Sequence, residues 1–349
     1  MKDAKAIVTG VPGWLGNRFV NSLLNGLPGV KELASPRNSE IRVLVTDGED
    51  PFVKQLEKDE RVKIFKGDLR DKDSLVPLFA NAEGSSVFHI AGVVHPKNVA
   101  ELFAVNTQGT KNILDVAAGS GTRRFIHISS NSPVGVNTEA NSVFDEQSPY
   151  HPYMNYGRSK MLAEAAVKDF SSRLETVILR PPWFYGPGQP ARQLLFFTMI
   201  KNGKVPLVGD GSNLRSMAFL DNICQGMLLA EMKEKAKDQI YWIADREPYT
   251  MNKIIDTIEL VLERDFSFAV AHKRMRLPGL ASELAYAADT GLQALGLYHQ
   301  KIHVLSEMNK SIACTIKKAE AELGYNPKIS IEEGMRLSIK DAIDRGMSI

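Results

Sequence analysis

Cysteine is scarce in this chain. Of 349 residues only Cys224 and Cys314 carry thiols. So distant a pair builds neither a disulfide framework nor a metal knuckle, and no metal site is expected. The plain reading is two buried thiols in a reducing compartment. Long apolar runs are also missing: charge interrupts every one before the ~20 residues that a membrane helix needs. The opening "MKDAK" passes straight into "AIVTG", without an apolar signal region. A cytoplasmic protein with no integral membrane segment is therefore expected. No block of like charge occurs, and 43 Lys and Arg against 41 Asp and Glu leave a formal net charge of +2. That balance gives no reason to expect nucleic acid. Internal repeats and low-complexity tracts are absent. What remains is ordinary globular composition, 44% apolar and 24% charged, in a chain long enough to bury a substantial core.

Within it, short apolar runs alternate with helix-like segments. "AIVTG", "IRVLVTD", "VKIFKGD", "SVFHIAG", "RFIHISS" and "TVILRPP" read as buried strands, each followed by a turn. Between them "WLGNRFVNSLLNGL", "AELFAVNTQGTKNILDVAAGSG" and "NYGRSKMLAEAAVKDFSSR" place apolar residues at helical spacing. This alternation predicts an α/β fold: a Rossmann-type, doubly wound parallel sheet that binds ligands at the carboxyl ends of its strands. After Pro181 the rhythm changes, and from Thr250 onward the chain reads as mainly helical. The expected division is a dinucleotide-binding domain over 1–182, to which 215–246 return. A smaller, interleaved, mostly helical substrate domain comprises 183–214 and 247–349.

"VTGVPGWLG" sets Gly10, Gly13 and Gly16 between the first strand and the first helix. Glycines there permit a tight turn, close approach of a pyrophosphate and packing of helix on sheet. The phosphate then meets free backbone N–H groups at the helix start, where Trp14 and Leu15 stand. After the second strand Asp47 is the candidate reader of the adenosine ribose. It lies further past Gly16 than the usual ~20 residues, and the polar stretch 27–40 accounts for the excess. Thr46 is the alternative. An acidic group there favours NAD, with NADP left open. In "GDLRD", Asp68 and the Leu69 backbone are candidates for the adenine, and a plain turn aspartate is the other reading.

Several pieces, in order, resemble the extended short-chain dehydrogenases/reductases. They are "TGVPGWLG", "GDL", "HIAG" with Ala91 and Gly92, "NTQGTKNIL" with Asn106, "HISSNS" with Ser130, "YGRSK" and "LRPPWFYGPG". The resemblance spans essentially the whole chain. It implies that Tyr156 is the proton-transfer group and Lys160 its electrostatic partner, also reaching the cofactor ribose. Ser130 would bond the substrate oxygen, with Ser129 as fallback, and Asn106 would order the site. Pro181 would contact the nicotinamide, and Arg180, Trp183, Phe184 and Tyr185 would begin the substrate side. The chemistry is consistent. A free tyrosine titrates near ~10 and is a poor base at neutral pH. A neighbouring ammonium and a positive nicotinamide favour its phenolate, and residues four apart share a helix face.

Family members include oxidoreductases, epimerases and dehydratases. Sugar-nucleotide 4,6-dehydratases carry an Asp-Glu pair after the active-site hydroxyl. Here Asn131 and Ser132 stand in those places, which argues against that reaction. The first expectation is a 3β-hydroxysteroid dehydrogenase-like oxidoreductase. Leu280, Leu284, Ala288, Leu292 and Leu295 would then line an apolar pocket, touch a membrane surface or simply pack as a lid. The second is a sugar-nucleotide 4-epimerase, with Arg215 on the nucleotide phosphates. A dinucleotide-binding sensor without turnover is the non-enzymatic alternative. Relatives also imply a homodimer pairing helices 99–118 and 156–171.

Overall fold

The computed structural model describes residues 4–139 and 142–349. Seven parallel strands form its central sheet: β1 (Ala6–Thr9), β2 (Ile41–Val45), β3 (Val62–Lys66), β4 (Ser86–His89), β5 (Arg124–Ile128), β6 (Glu175–Arg180) and β7 (Gln239–Trp242). Their spatial order is β7-β6-β5-β4-β1-β2-β3. Apolar β-branched runs such as "AIVT" and "IRVLV" are fully buried because helices cover both faces of the sheet. The order reverses between β1 and β4, and in such sheets the crevice at this switch point takes the ligand.

On one face Phe19, Val20 and Leu23 of the helix Trp14–Asn25 pack with Ile223 and Met227 of the helix Leu220–Met232. On the other, Ile113, Leu114 and Ala117 meet Ala166 and Val167 of the helix Met154–Asp169. A separate core joins Leu194, Phe197 and Ile200 to Ile254, Ile258, Met335 and Ile339. The segment 99–118, read as one helix, is interrupted: Phe103–Gly109 is wound as a π-helix between two α-helical stretches. The C-terminal part also holds a strand, Arg274–Leu277, paired in parallel with Val205–Val208. Its alternating charges hid it, since only one edge of it is covered. Among the described residues no helix is long and apolar enough to cross a membrane, and both cysteines are buried.

Candidate active site

The glycine turn sits at the switch point, at the end of β1. Gly10 has φ +93°, a conformation that side chains resist, and a Cβ on it would lie 2.8 Å from the Ala91 nitrogen. A Cβ on Gly16 would lie 2.2 Å from the Gly10 carbonyl oxygen, and one on Gly13 2.6 Å from the same atom. The spacing thus serves first to close the turn on itself. The helix that follows has no side-chain cap and no acidic residue in its first turn, so its N–H groups face outward uncompensated. Trp14 donates to the Pro187 carbonyl at 2.6 Å and packs on Phe184, tying this helix start to the loop after β6. These features fit a dinucleotide pyrophosphate.

Asp47 and Thr46 are both exposed just beyond β2, and Asp47 accepts from the Glu49 N–H at 3.0 Å. Asp68 holds Arg70 in a two-pronged ion pair, which keeps its carboxyl below the usual range. The Leu69 carbonyl accepts from Asn112 at 2.8 Å. Ala91 donates its N–H to the Thr9 hydroxyl at 3.2 Å, and Gly92 lies against the Asn106 amide oxygen. Pro181 is buried at the end of β6.

Asn106 is a clamp. Its amide oxygen accepts from Val93 N–H at 2.8 Å, and its NH₂ donates to the Val93 carbonyl at 2.9 Å and to Ser159 at 3.1 Å. It therefore fixes the loop after β4 to the helix carrying Tyr156. Behind it runs a directed polar chain. Thr110 spends its proton on the Asn106 carbonyl at 2.6 Å, so toward His89 Nε2, 3.0 Å away, it accepts. His89 Nδ1 must then accept from the Thr9 hydroxyl at 2.9 Å. Burial pushes His89 down to about 3, so its ring is neutral.

Ser130 lies just past β5, where its hydroxyl accepts from the Ser132 N–H at 3.3 Å and lies 3.4 Å from the Asn131 and Ser132 side-chain oxygens. Burial pushes Tyr156 up to about 12, the nearby Ser130 hydroxyl opposes that rise, and Glu307 adds to it. Lys160, one turn further on, is 3% exposed. Its ammonium donates to the Ile128 carbonyl at 2.8 Å and lies 3.2 Å from His127 Nε2, rather than bonding Tyr156. Burial lowers it to about 8, with Glu164 opposing the drop. His127 is held well below its usual value by burial and by Lys160, so its neutral ring acts as the acceptor.

One turn beyond Lys160, Glu164 is fully buried. It accepts from Arg180 Nε at 3.0 Å and from its terminal nitrogen at 2.7 Å, from Ser129 at 2.5 Å and from Tyr150 at 2.6 Å. Three expectations change here. Arg180 is an internal partner of Glu164, stacked over Tyr150 and Trp242, and not a substrate-side group. Ser129 is held by Glu164, which leaves Ser130, with only weak contacts of its own, as the candidate hydroxyl. Tyr185 is buried and donates to Asp245 at 2.8 Å, because the strand Trp183–Tyr185 turns it into the second core.

Trp183 does remain on the open side, edge-on to Phe196 and beneath the Arg215 guanidinium, 5.9 Å from its ring. Arg215 makes only long contacts to the Glu307 and Lys310 carbonyls, at 3.4 and 3.3 Å. A helical hairpin, Leu280–Ala294 and Gln300–Glu307, covers the start of the Tyr156 helix. There Met154 has φ +52°, an uncommon value for a side-chain-bearing residue. Gln293 accepts from the Asn155 N–H at 3.1 Å, and Tyr153 bonds Ser306 at 2.7 Å. The hairpin brings Glu307 and Tyr298 into the electrostatic neighbourhood of Tyr156, and Tyr298 bonds His95 at 2.7 Å. The sequence reading missed this group, since nothing local to "GLYHQ" links it to Tyr156. His127 was in view within "HISS", and its period-two placement from Ser129 on a buried strand was the usable signal.

Comparison with known proteins gives the family. A model of the NAD dependent epimerase/dehydratase family matches residues 6–244. The chain belongs to that family. It is an NAD-dependent enzyme family, and the glycine turn and open helix start described above suit that cofactor. The chain is 48% identical over 345 residues to the "uncharacterized protein y4nL" of Sinorhizobium fredii, covering 98% of this chain and 96% of that protein. It is 31% identical over 301 residues to 3beta-hydroxysteroid-dehydrogenase/decarboxylase isoform 1 of Arabidopsis thaliana, covering 80% of this chain and 66% of that one. In structure it is similar to dTDP-glucose 4,6-dehydratase DesIV of Streptomyces venezuelae, with TM-score 0.75 and 24% identity over 98% of each chain. As a family of enzymes it displaces the sensor reading.

Proposed function

We propose that this enzyme transfers hydride at a secondary alcohol or ketone of a small, steroid-like molecule, with Tyr156 moving the proton. What supports the reading is that Ser130, just past β5, lies in the electrostatic neighbourhood of Tyr156, with Lys160 buried one turn further along the same helix. The 31% identity to a hydroxysteroid dehydrogenase supports the substrate class.

In the oxidative direction the substrate hydroxyl gives its proton to the Tyr156 phenolate while Ser130 holds the same oxygen. A bound NAD would supply the hydride acceptor and, while oxidised, a positive charge in the site. Gly10, Gly13, Gly16, Trp14 and Leu15 would hold its pyrophosphate, Asp47 or Thr46 and Asp68 its adenosine, and Lys160 its other ribose. Tyr156 at about 12 needs a large downward pull to act at neutral pH, and in this reading the Lys160 cation, one helical turn away, and a positively charged oxidised nicotinamide would supply it. Asn106 and Glu164 hold that helix in position. No carboxylate follows Ser130, so nothing there drives elimination.

One observation favours a second reading. Arg215 is half-buried over Trp183 and forms no ion pair with a carboxylate among the described residues, as a phosphate-binding cation would be. A sugar-nucleotide epimerase would use the same tyrosine and lysine. We also read the enzyme as cytoplasmic and homodimeric, with Leu162 and Ala165 on the open face of the Tyr156 helix.

The test is turnover of the purified protein against hydroxysteroids and UDP- and dTDP-sugars, following nicotinamide absorbance and product stereochemistry. Absorbance change with a hydroxysteroid supports the first reading. Inversion of a sugar nucleotide without net absorbance change sinks it in favour of the second. Arg215→Ala abolishes the latter activity and spares the former.

A further inference from the structure

The helix Leu280–Ala294 is packed with its polarity reversed. Its buried positions are Ser282, Ala285, Asp289 and Gln293, a single stripe at helical spacing. That stripe is turned toward the protein. Ser282 donates to the Leu305 carbonyl at 2.7 Å. Asp289 accepts from Gln293 at 3.0 Å and from His303 at 2.7 Å. Gln293 holds the Asn155 N–H. With the polar side committed inward, the other side carries the apolar residues. Leu280 is 64% exposed, Leu284 63% and Leu295 77%, with Ala287, Ala288 and Gly291 between them. Met275 before the helix and Leu297 after it are also exposed. Soluble surfaces scatter single apolar residues, and a continuous leucine stripe over a polar, hydrogen-bonded underside calls for an apolar neighbour.

The charges at its rim select that neighbour. The only charge exposed along the helix, Glu283, is neutralised by Lys310. Lys273 and Arg276 precede the stripe and Lys301 follows it. All three are exposed and close no ion pair among the described residues, although Asp210 stands in the field of Arg276. An apolar helical face flanked by unpaired cations is the pattern of a helix lying in a membrane interface. Among the described residues no helix is long and apolar enough to span a bilayer, and the contact inferred here is with one leaflet.

We propose that the hairpin 280–307 docks this enzyme on an anionic phospholipid surface. The leucines enter the acyl boundary and Lys273, Arg276 and Lys301 meet the headgroups. The inner face of the same hairpin reaches the neighbourhood of Tyr156, so docking sets the substrate side against the membrane. The proposal stands on the outer face alone and does not depend on which substrate the enzyme takes.

The test is flotation of the full-length protein with phosphatidylcholine vesicles, with and without roughly one-third phosphatidylglycerol. Binding is expected to the anionic vesicles and to fall with salt. Leu280→Gln/Leu284→Gln/Leu295→Gln lowers it about tenfold or more, and Lys273→Glu/Arg276→Glu/Lys301→Glu does the same on anionic vesicles only. Unchanged NAD affinity and thermal midpoint show that the variants are folded. No binding to anionic vesicles at low salt overturns the proposal, as does a leucine variant that floats like the parent. Self-association lost in the leucine variant, without vesicle binding in the parent, assigns the face to a second copy and equally overturns it.

Discussion

Replacing Lys160 with methionine should stabilise the protein at neutral pH while removing its activity. The ammonium is 3% exposed, and burial takes it from 10.5 to about 8. That difference, at about 1.4 kcal/mol per tenfold in proton affinity, is a cost of about 3 kcal/mol for keeping the folded lysine charged at pH 7. Methionine fills similar volume without that cost. It also strands the Ile128 carbonyl and His127 Nε2, which Lys160 now satisfies, at about 1 kcal/mol each. The net gain is about 1 kcal/mol, or about 1–2 °C in thermal midpoint for a chain of this size. The pH dependence is the sharper signature. Between about 8 and 10.5 the unfolded lysine keeps a proton that the folded one has lost, so wild-type stability from this group rises with pH. The variant lacks that rise. Its advantage therefore shrinks above pH 8 and reverses near pH 9. Urea denaturation of both proteins at the two pH values measures it. A Lys160→Met protein less stable than wild type at pH 7, or a difference that ignores pH, refutes the reasoning.

Three other changes probe the frame around that lysine. Glu164→Gln leaves buried Arg180 without its counter-charge and should lower stability by about 3–5 kcal/mol, read from the denaturation midpoint; an unmoved midpoint contradicts it. Gly16→Ala puts a methyl 2.2 Å from the Gly10 carbonyl oxygen, so calorimetry should show NAD affinity reduced about a hundredfold, and an unaltered Kd counts against the turn. His127→Phe takes one acceptor from the Lys160 ammonium and His127→Gln keeps one. The alkaline limb of kcat/KM should move to lower pH in the first and stay in the second, and identical profiles would reduce His127 to packing.

The sheet was legible because strand–helix alternation is a local signal, repeated from β1 to β6, and because Gly10, Gly13 and Gly16 fall at one strand–helix junction. Ser130, Tyr156 and Lys160 were legible only jointly, through their order along the chain. What escaped notice depends on contacts between distant segments. Arg180 looked substrate-facing until Glu164, on another element, was found to hold it. Tyr185 sits among aromatics that face the open side, yet the three-residue strand 183–185 turns alternate residues inward, and Asp245 claims its hydroxyl. The π-wound segment that presents Asn106 has no signature distinct from an α-helix in "FAVNTQG". The leucines at 280–295 were visible as an apolar stripe. Only the structure shows that the polar stripe is the buried one.

The central claim is that Tyr156 transfers the proton during hydride transfer to NAD. Tyr156→Phe keeps the ring and removes the hydroxyl. The measurement is its turnover on whichever alcohol the wild-type enzyme oxidises, alongside its affinity for NAD. The account predicts turnover lowered at least about a thousandfold with NAD binding nearly unchanged. A phenylalanine variant that turns over near the wild-type rate contradicts it.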